Sequence, residues 1–216
     1  MKGFLKTAFL AMAAIAAAAC GETTGEVDEY AGWREKNDQF YFDTYSKADP
    51  GKTWIKAWSL PDFVAASIHN SIVVEVLAEG PAGTPHPIYT DTVKAHLSAR
   101  TIPTATYPAG RVFDQTWTGE FDPETAAPRT MPVAGTAVVN GEGKPVTDGL
   151  TTALMQMRKG DRWRVYVPYS LAYGAADNAS FGIPAFSTVI YDVTLAGIFH
   201  VGEAVPQTMA KRADFQ

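Results

Sequence analysis

The nine residues TVKAHLSAR, 92–100, alternate without a break: Val93, Ala95, Leu97 and Ala99 are apolar, and Lys94, His96, Ser98 and Arg100 are not. Successive side chains of an extended chain point to opposite faces, so this pattern demands a strand with one face buried and one in water. One-sided burial is the habit of antiparallel sheets; parallel sheets are covered on both faces and read as unbroken apolar runs. Three further segments fit the same sheet. SIVVEVLAE (71–79) has the composition of a strand, RWRVYVPY (162–169) sets Trp163, Val165 and Val167 on one face, and STVIYDVTLAGI (187–198) does so with Val189, Tyr191, Val193 and Leu195. His96 falls on the solvated face in this reading.

One helix interrupts these strands. In DGLTTALMQMRKG (148–160), Leu150, Ala153, Leu154 and Met157 form an apolar stripe. Asp148 is suited to cap its start, Arg158 and Lys159 to complement its C-terminal dipole, and Gly160 to end it. Antiparallel strands clasping a single short amphipathic helix make an α+β domain, placed here at 69–200. Upstream, WREKNDQFYFDTYSK (33–47) spaces Trp33, Phe40, Tyr41 and Tyr45 roughly as a helix does. Residues 33–68 then read as a helical extension and connector, whose aromatic stripe either docks on the domain or joins two copies. Residues 201–216 form a C-terminal tail.

The N-terminus reads as an address. Lys2 and Lys6 precede an apolar run from Ala8 to Ala19, too short to span a bilayer, and small residues lead to Cys20, the only cysteine in 216 residues. A disulfide framework is excluded. The arrangement resembles a bacterial lipoprotein signal: 1–19 would be removed, Cys20 lipidated, and the polar stretch 20–32 would tether a domain to a membrane outside the cytoplasm. An ordinary cleaved signal with an incidental cysteine is the alternative.

Several chemistries are disfavoured. The net charge of −5, with no basic cluster beyond the first six residues, argues against nucleic acid. There is no G-x-S-x-G elbow, the histidines at 69, 86, 96 and 200 lack metal-ligand spacing, and NGEGKP (140–145) lacks the spacing of a phosphate loop. No metal and no cofactor is expected. What remains is a loop of small polar residues mixed with Tyr173, Phe181, Ile183 and Phe186, which is the material of an apolar binding pocket.

GLTTALMQMRKGDRWRVYVPYSLAYGA followed by IPAFSTVIYDVTL resembles the C-terminal half of an FKBP-type peptidyl-prolyl cis–trans isomerase, and TVKAHLSAR and GRVFDQTW resemble that family's Val-x-Val-His strand and its following Phe-Asp. Order and spacing agree from about 69 to 200. The resemblance implies an antiparallel sheet half-wrapped around one short helix, with an apolar pocket between them that accelerates rotation about X–Pro bonds in polypeptide substrates.

Carried over by position, Phe113 and Asp114 supply a wall and polar rim, and Tyr173 a hydroxyl for a substrate carbonyl. Val146 lines the pocket, Ile183 closes over the proline ring with its N–H toward a flanking carbonyl, and Tyr191 is the aromatic of the last strand. Three positions depart: Leu97 stands for a Tyr, Leu150 for the Trp of the pocket floor, and Thr147 for an Ile. Inserts lengthen the chain before Phe113 and between Trp117 and Val146. The alternatives to an isomerase are a non-catalytic binding or chaperone module and an accessory subunit of an envelope complex. The oligomeric state stays open.

Overall fold

The computed structural model describes residues 28–47, 49–139 and 141–206. The expected signal at 1–19, Cys20, most of the tether and the tail beyond 206 lie outside the described residues. The elements are α1 (Trp33–Ser46), β1 (Lys52–Lys56), β2 (Ser71–Ala78), β3 (Thr92–Arg100), β4 (Val112–Gln115), β5 (Arg129–Pro132), β6 (Thr136–Val139), β7 (Glu142–Pro145), α2 (Asp148–Leu154), β8 (Arg162–Val167) and β9 (Val189–Phe199). The main sheet runs β1-β2-β8-β9-β3, entirely antiparallel, with β4 and β5 sharing the outer edge of β3. A separate hairpin, β6–β7, leads into α2.

The apolar set of β3 faces inward as its alternation requires, Val93, Ala95, Leu97 and Ala99 being almost fully buried. It meets Val165 and Val167 of β8, Val189, Val193 and Leu195 of β9, and Leu150, Leu154 and Met157 from the helical segment. Each such large side chain contributes roughly 1.5–3 kcal/mol by leaving water. Gly149 sets how closely the helix lies on the sheet: a Cβ there would stand 2.3 Å from Val167 Cγ1.

Two details of the helix differ from expectation. Thr147, not Asp148, is the N-cap, and its Oγ1 accepts the Leu150 N–H at 3.3 Å. The helix stops at Leu154, so Gly160 caps nothing; it takes φ 96° in the turn before β8. The Asp161 carboxylate fixes that turn by accepting the Arg158 and Gly80 N–H groups at 2.7 and 2.6 Å. Moreover, every residue from Gly149 to Leu154 is buried, because the connector and the strand β5 end cover the outer side. There Trp58 donates its N–H to Thr152 Oγ1, and Thr151 donates its hydroxyl to the Val133 carbonyl.

His96 is not solvated. It is 3% exposed, with Ser98 also buried. The reason is the insert after Trp117: it folds back so that Phe121 packs 5.3 Å from the His96 ring and 4.6 Å from Trp117. Desolvation lowers the His96 pKa and favours the neutral imidazole.

The aromatic stripe of α1 docks on the domain. Trp33, Asn37 and Tyr41, one turn apart, are its buried face. Trp33 Nε1 donates to Ser187 Oγ at 2.8 Å, Thr188 donates its N–H to Asn37 Oδ1 at 2.7 Å, and the Tyr41 hydroxyl donates to the Ser71 carbonyl at 2.5 Å. Two boundaries shift as a result. Residues 28–32, assigned to a free tether, are held against the domain, where Glu29 accepts from the Thr106 N–H and hydroxyl. The connector also supplies β1, an edge strand, so the sheet begins at 52 rather than 69. Among the described residues no helix is long and apolar enough to cross a membrane.

Candidate active site

Where α2 begins, β3, β9, β5 and the β6–β7 hairpin enclose a small cavity. Leu97, Leu150, Met131 and Ala137 are its apolar lining, Val146 and Pro145 a side wall, and Tyr191 comes from β9. The lining exists because a strand and a helix start each turn apolar side chains to one point, and neither carries an aromatic ring to fill it. Leu150 and Leu97 are both buried.

Polar groups complete the lining. Asp114 of β4 and Arg129 of β5 are neighbours along the edge of β3, joined by two hydrogen bonds of 2.7 Å. This bidentate geometry fixes both planes. Opposite them, Thr147 Oγ1 and the Tyr191 hydroxyl share a hydrogen bond of 3.2 Å, and the Tyr173 hydroxyl is turned to that of Tyr191. Burial, and then the neighbouring Tyr191, push the Tyr173 phenol far above its ordinary range; burial raises Tyr191 as well. Both stay protonated, so Tyr173 is held as a hydrogen-bond donor.

A loop lids the site. Asn178 and Ile183 exchange both backbone hydrogen bonds, at 2.9 and 3.1 Å, and the turn between them carries Phe181. Asn178 Oδ1 accepts the Phe181 N–H, and the Arg111 guanidinium donates to the Gly182 carbonyl. Phe181 thereby meets Phe113 at 5.3 Å and Tyr173 at 5.4 Å, and Lys144 Nζ stands 5.2 Å from its ring centroid. With Phe181 in place the cavity is only about 20 Å³, room for roughly one water.

Six of the eight residues expected at the site line this cavity: Leu97, Asp114, Val146, Leu150, Tyr173 and Tyr191. Phe113 does not line it; its ring backs Phe181 and Tyr173. Ile183 is buried at 2% exposure away from the lining, and its N–H, expected to face a substrate carbonyl, is engaged by Asn178. Sequence reasoning missed Arg129 and Lys144, which no local pattern marks, since each sits in an insert. Phe181 and Phe186 were alike in sequence and part in the structure. Phe186, at φ 60°, packs 5.1 Å from Tyr169 under the Arg34 guanidinium and belongs to the α1 junction. Among the described residues no group of three or more His, Cys, Asp or Glu could hold a metal.

A profile of the family described as FKBP-type peptidyl-prolyl cis-trans isomerase matches residues 84–196, just over half of the chain and every site residue above. The chain is 44% identical over 63 residues to the macrophage infectivity potentiator of Trypanosoma cruzi, across 26% of this chain and 32% of that protein. It therefore spans about a third of the length of that curated relative. A peptidyl-prolyl cis-trans isomerase of Pseudomonas syringae pv. tomato shares the fold, with a TM-score of 0.53 and 22% identity over 79% of this chain and 96% of that one. The chain belongs to the FKBP-type peptidyl-prolyl cis–trans isomerase family.

Proposed function

We propose that the protein is a membrane-tethered prolyl isomerase acting on exported polypeptides, with Asp114 and Tyr173 as its catalytic residues and Phe113 positioning the Tyr173 ring. The observation that carries this reading is the convergence of a protonated Tyr173 hydroxyl and the Asp114–Arg129 pair on an apolar cavity floored by Leu97 and Leu150. The X–Pro isomers differ by only ~0.5–1 kcal/mol, yet resonance of the amide sets a barrier of ~18–20 kcal/mol between them. No bond need be made or broken. The twisted amide carries less charge on its oxygen than the planar one, so it loses less on leaving water. An apolar seat binds it preferentially, and each factor of ten needs ~1.4 kcal/mol of that preference.

In this mechanism the proline ring takes the space that Phe181 now fills, against Leu97, Val146, Leu150 and Tyr191. Tyr173 donates to a flanking carbonyl, and Asp114, held by Arg129, orders the rim without moving a proton. Ile183 shapes the loop turn from beneath. Cys20 anchors the chain through lipid.

The test is cis/trans exchange of X–Pro peptides by NMR with the full-length protein. Acceleration that Tyr173→Phe and Phe113→Ala reduce supports the enzyme; exchange at the uncatalysed rate sinks it. The closed cavity favours one second reading, a binding module that grips proline segments, for which peptide binding without acceleration is the signature. Release from membranes on Cys20→Ser tests the anchor, and unchanged association would count against it.

A further inference from the structure

We propose that Lys144 is a specificity-determining residue that selects substrates carrying a carboxylate next to the proline. The inference rests on the cavity being a proline seat, catalytic or not.

Arg129 and Lys144 are the two cations lining the cavity. Arg129 is answered by Asp114 through both of its hydrogen bonds. Lys144 is placed differently. Its side chain is only 7% exposed, and its Nζ meets Glu142 Oε2 at 2.5 Å, the Ser180 carbonyl at 3.4 Å and the face of Phe181. An ammonium withdrawn from water has to be compensated by charge or dipoles. Here all of that compensation is removable. Glu142 is 72% exposed at the hairpin, and Ser180 and Phe181 belong to the loop that has to move before a proline ring can enter 20 Å³.

Displacing Phe181 strips Lys144 of an aromatic face and a carbonyl together. A neutral substrate leaves the ammonium with Glu142 alone. A substrate whose residue beside the proline ends in a carboxylate supplies a charge-assisted hydrogen bond at that moment, which offsets the cost of opening. Discrimination therefore arises at the same step as admission. Glu142 competes for the ammonium, so its removal sharpens the preference.

The test uses the full-length protein and matched peptides in which Glu or Gln stands before the proline, or after it. Glu and Gln share size and shape, so the ratio of kcat/KM from exchange NMR isolates the charge. The wild type is expected to favour Glu at one of the two positions by roughly three- to tenfold, a ratio that shrinks as salt is raised. Lys144→Met is expected to bring the ratio to unity, and Glu142→Gln to raise it. The salt series and Glu142→Gln keep the test decisive if Lys144→Met does not fold.

Equal rates for Glu and Gln at both positions, or a preference that survives in folded Lys144→Met, overturn the proposal. If no peptide is accelerated, the isomerase reading falls separately. Peptide-induced shifts in the same samples then decide about Lys144: tighter binding of the Glu peptide, lost in Lys144→Met, upholds it, and equal binding overturns it.

Discussion

Asp114 and Arg129 lie side by side along one edge of β3, their carboxylate and guanidinium locked by two parallel hydrogen bonds of 2.7 Å. The chain between β4 and β5, 116–128, carries the Phe121 that buries His96, so the pair clamps the two ends of that segment to the sheet. Both side chains are nearly out of water, at 12% and 15% exposure. Arg129→Met leaves a carboxylate there without its counter-charge and is expected to cost roughly 2–4 kcal/mol. Adding Asp114→Asn removes the orphaned charge and is expected to recover part of that loss. Urea unfolding of the two single variants and the double variant measures the coupling; additive losses would deny it.

Tyr173 gives a cleaner separation of chemistry from folding. Its hydroxyl points to Tyr191 at the cavity, while its ring is held by Phe113 and Phe181. Tyr173→Phe keeps the ring and removes the donor. It is expected to change stability by no more than ~1 kcal/mol and to lower the catalysed exchange of an X–Pro peptide several-fold. A variant with undiminished exchange would remove the hydroxyl from the mechanism.

The parts of this molecule legible in its sequence are those with local periodicity. The alternation in β3 and the paired faces of β8 and β9 specify their own inward sets, and the stripe through Leu150, Leu154 and Met157 specifies what covers them. Features made by long-range contact were not legible. His96 reads as a surface residue in β3, and only the insert carrying Phe121 buries it. Asp148 has the chemistry of a cap, but Thr147 precedes it with extended φ and ψ and takes the position. The resemblance named Leu97, Phe113, Asp114, Val146, Leu150, Tyr173, Ile183 and Tyr191, and all of these but Phe113 and Ile183 line the cavity. Arg129, Lys144 and Phe181 lie in inserts or in the loop, where spacing fixes nothing.

Phe181 is the residue whose removal should improve binding. Its ring occupies the mouth of the cavity, and it touches Phe113, Tyr173 and Lys144. A gating ring has to be displaced at a cost in free energy, whereas a wall for the ligand contributes to affinity. Phe181→Ala is therefore expected to tighten the binding of a short proline peptide a few-fold, read by titration calorimetry. Weaker binding would make Phe181 a contact and not a gate.

The α1 junction should be worth as much as a core position. Asn37 is fully buried and answers two backbone groups, accepting the Thr188 N–H and donating to the Trp33 carbonyl. Asn37→Ala orphans the Thr188 N–H just before β9 and is expected to cost about 1–3 kcal/mol. Trp33→Ala, at 6% exposure, is expected to cost ~3 kcal/mol or more. Equilibrium unfolding in urea measures both. Losses within experimental scatter would mean that the helix rests on the domain without stabilising it.

Two histidines pull the pH dependence of stability in opposite directions. His200 Nδ1 stands 3.0 Å from Asp91 Oδ2, and this hydrogen bond and charge raise its pKa, with Glu203 adding to the effect. A raised folded-state pKa gives stability that is fully present below the unfolded imidazole value, about 6.5, and is lost as pH rises through the folded value. His96, kept neutral by desolvation, works the other way: its contribution is present above that unfolded value and lost as pH falls through the lowered folded one. The wild type should thus be most stable near neutrality. Because His200 is surface-exposed, its share is small, and the difference between wild type and His200→Gln is the sensitive readout. Melting temperatures from about pH 5 to pH 9 are expected to show the wild-type advantage at the acid end and its disappearance toward the alkaline end. An advantage that grows with pH would contradict the Asp91–His200 pair.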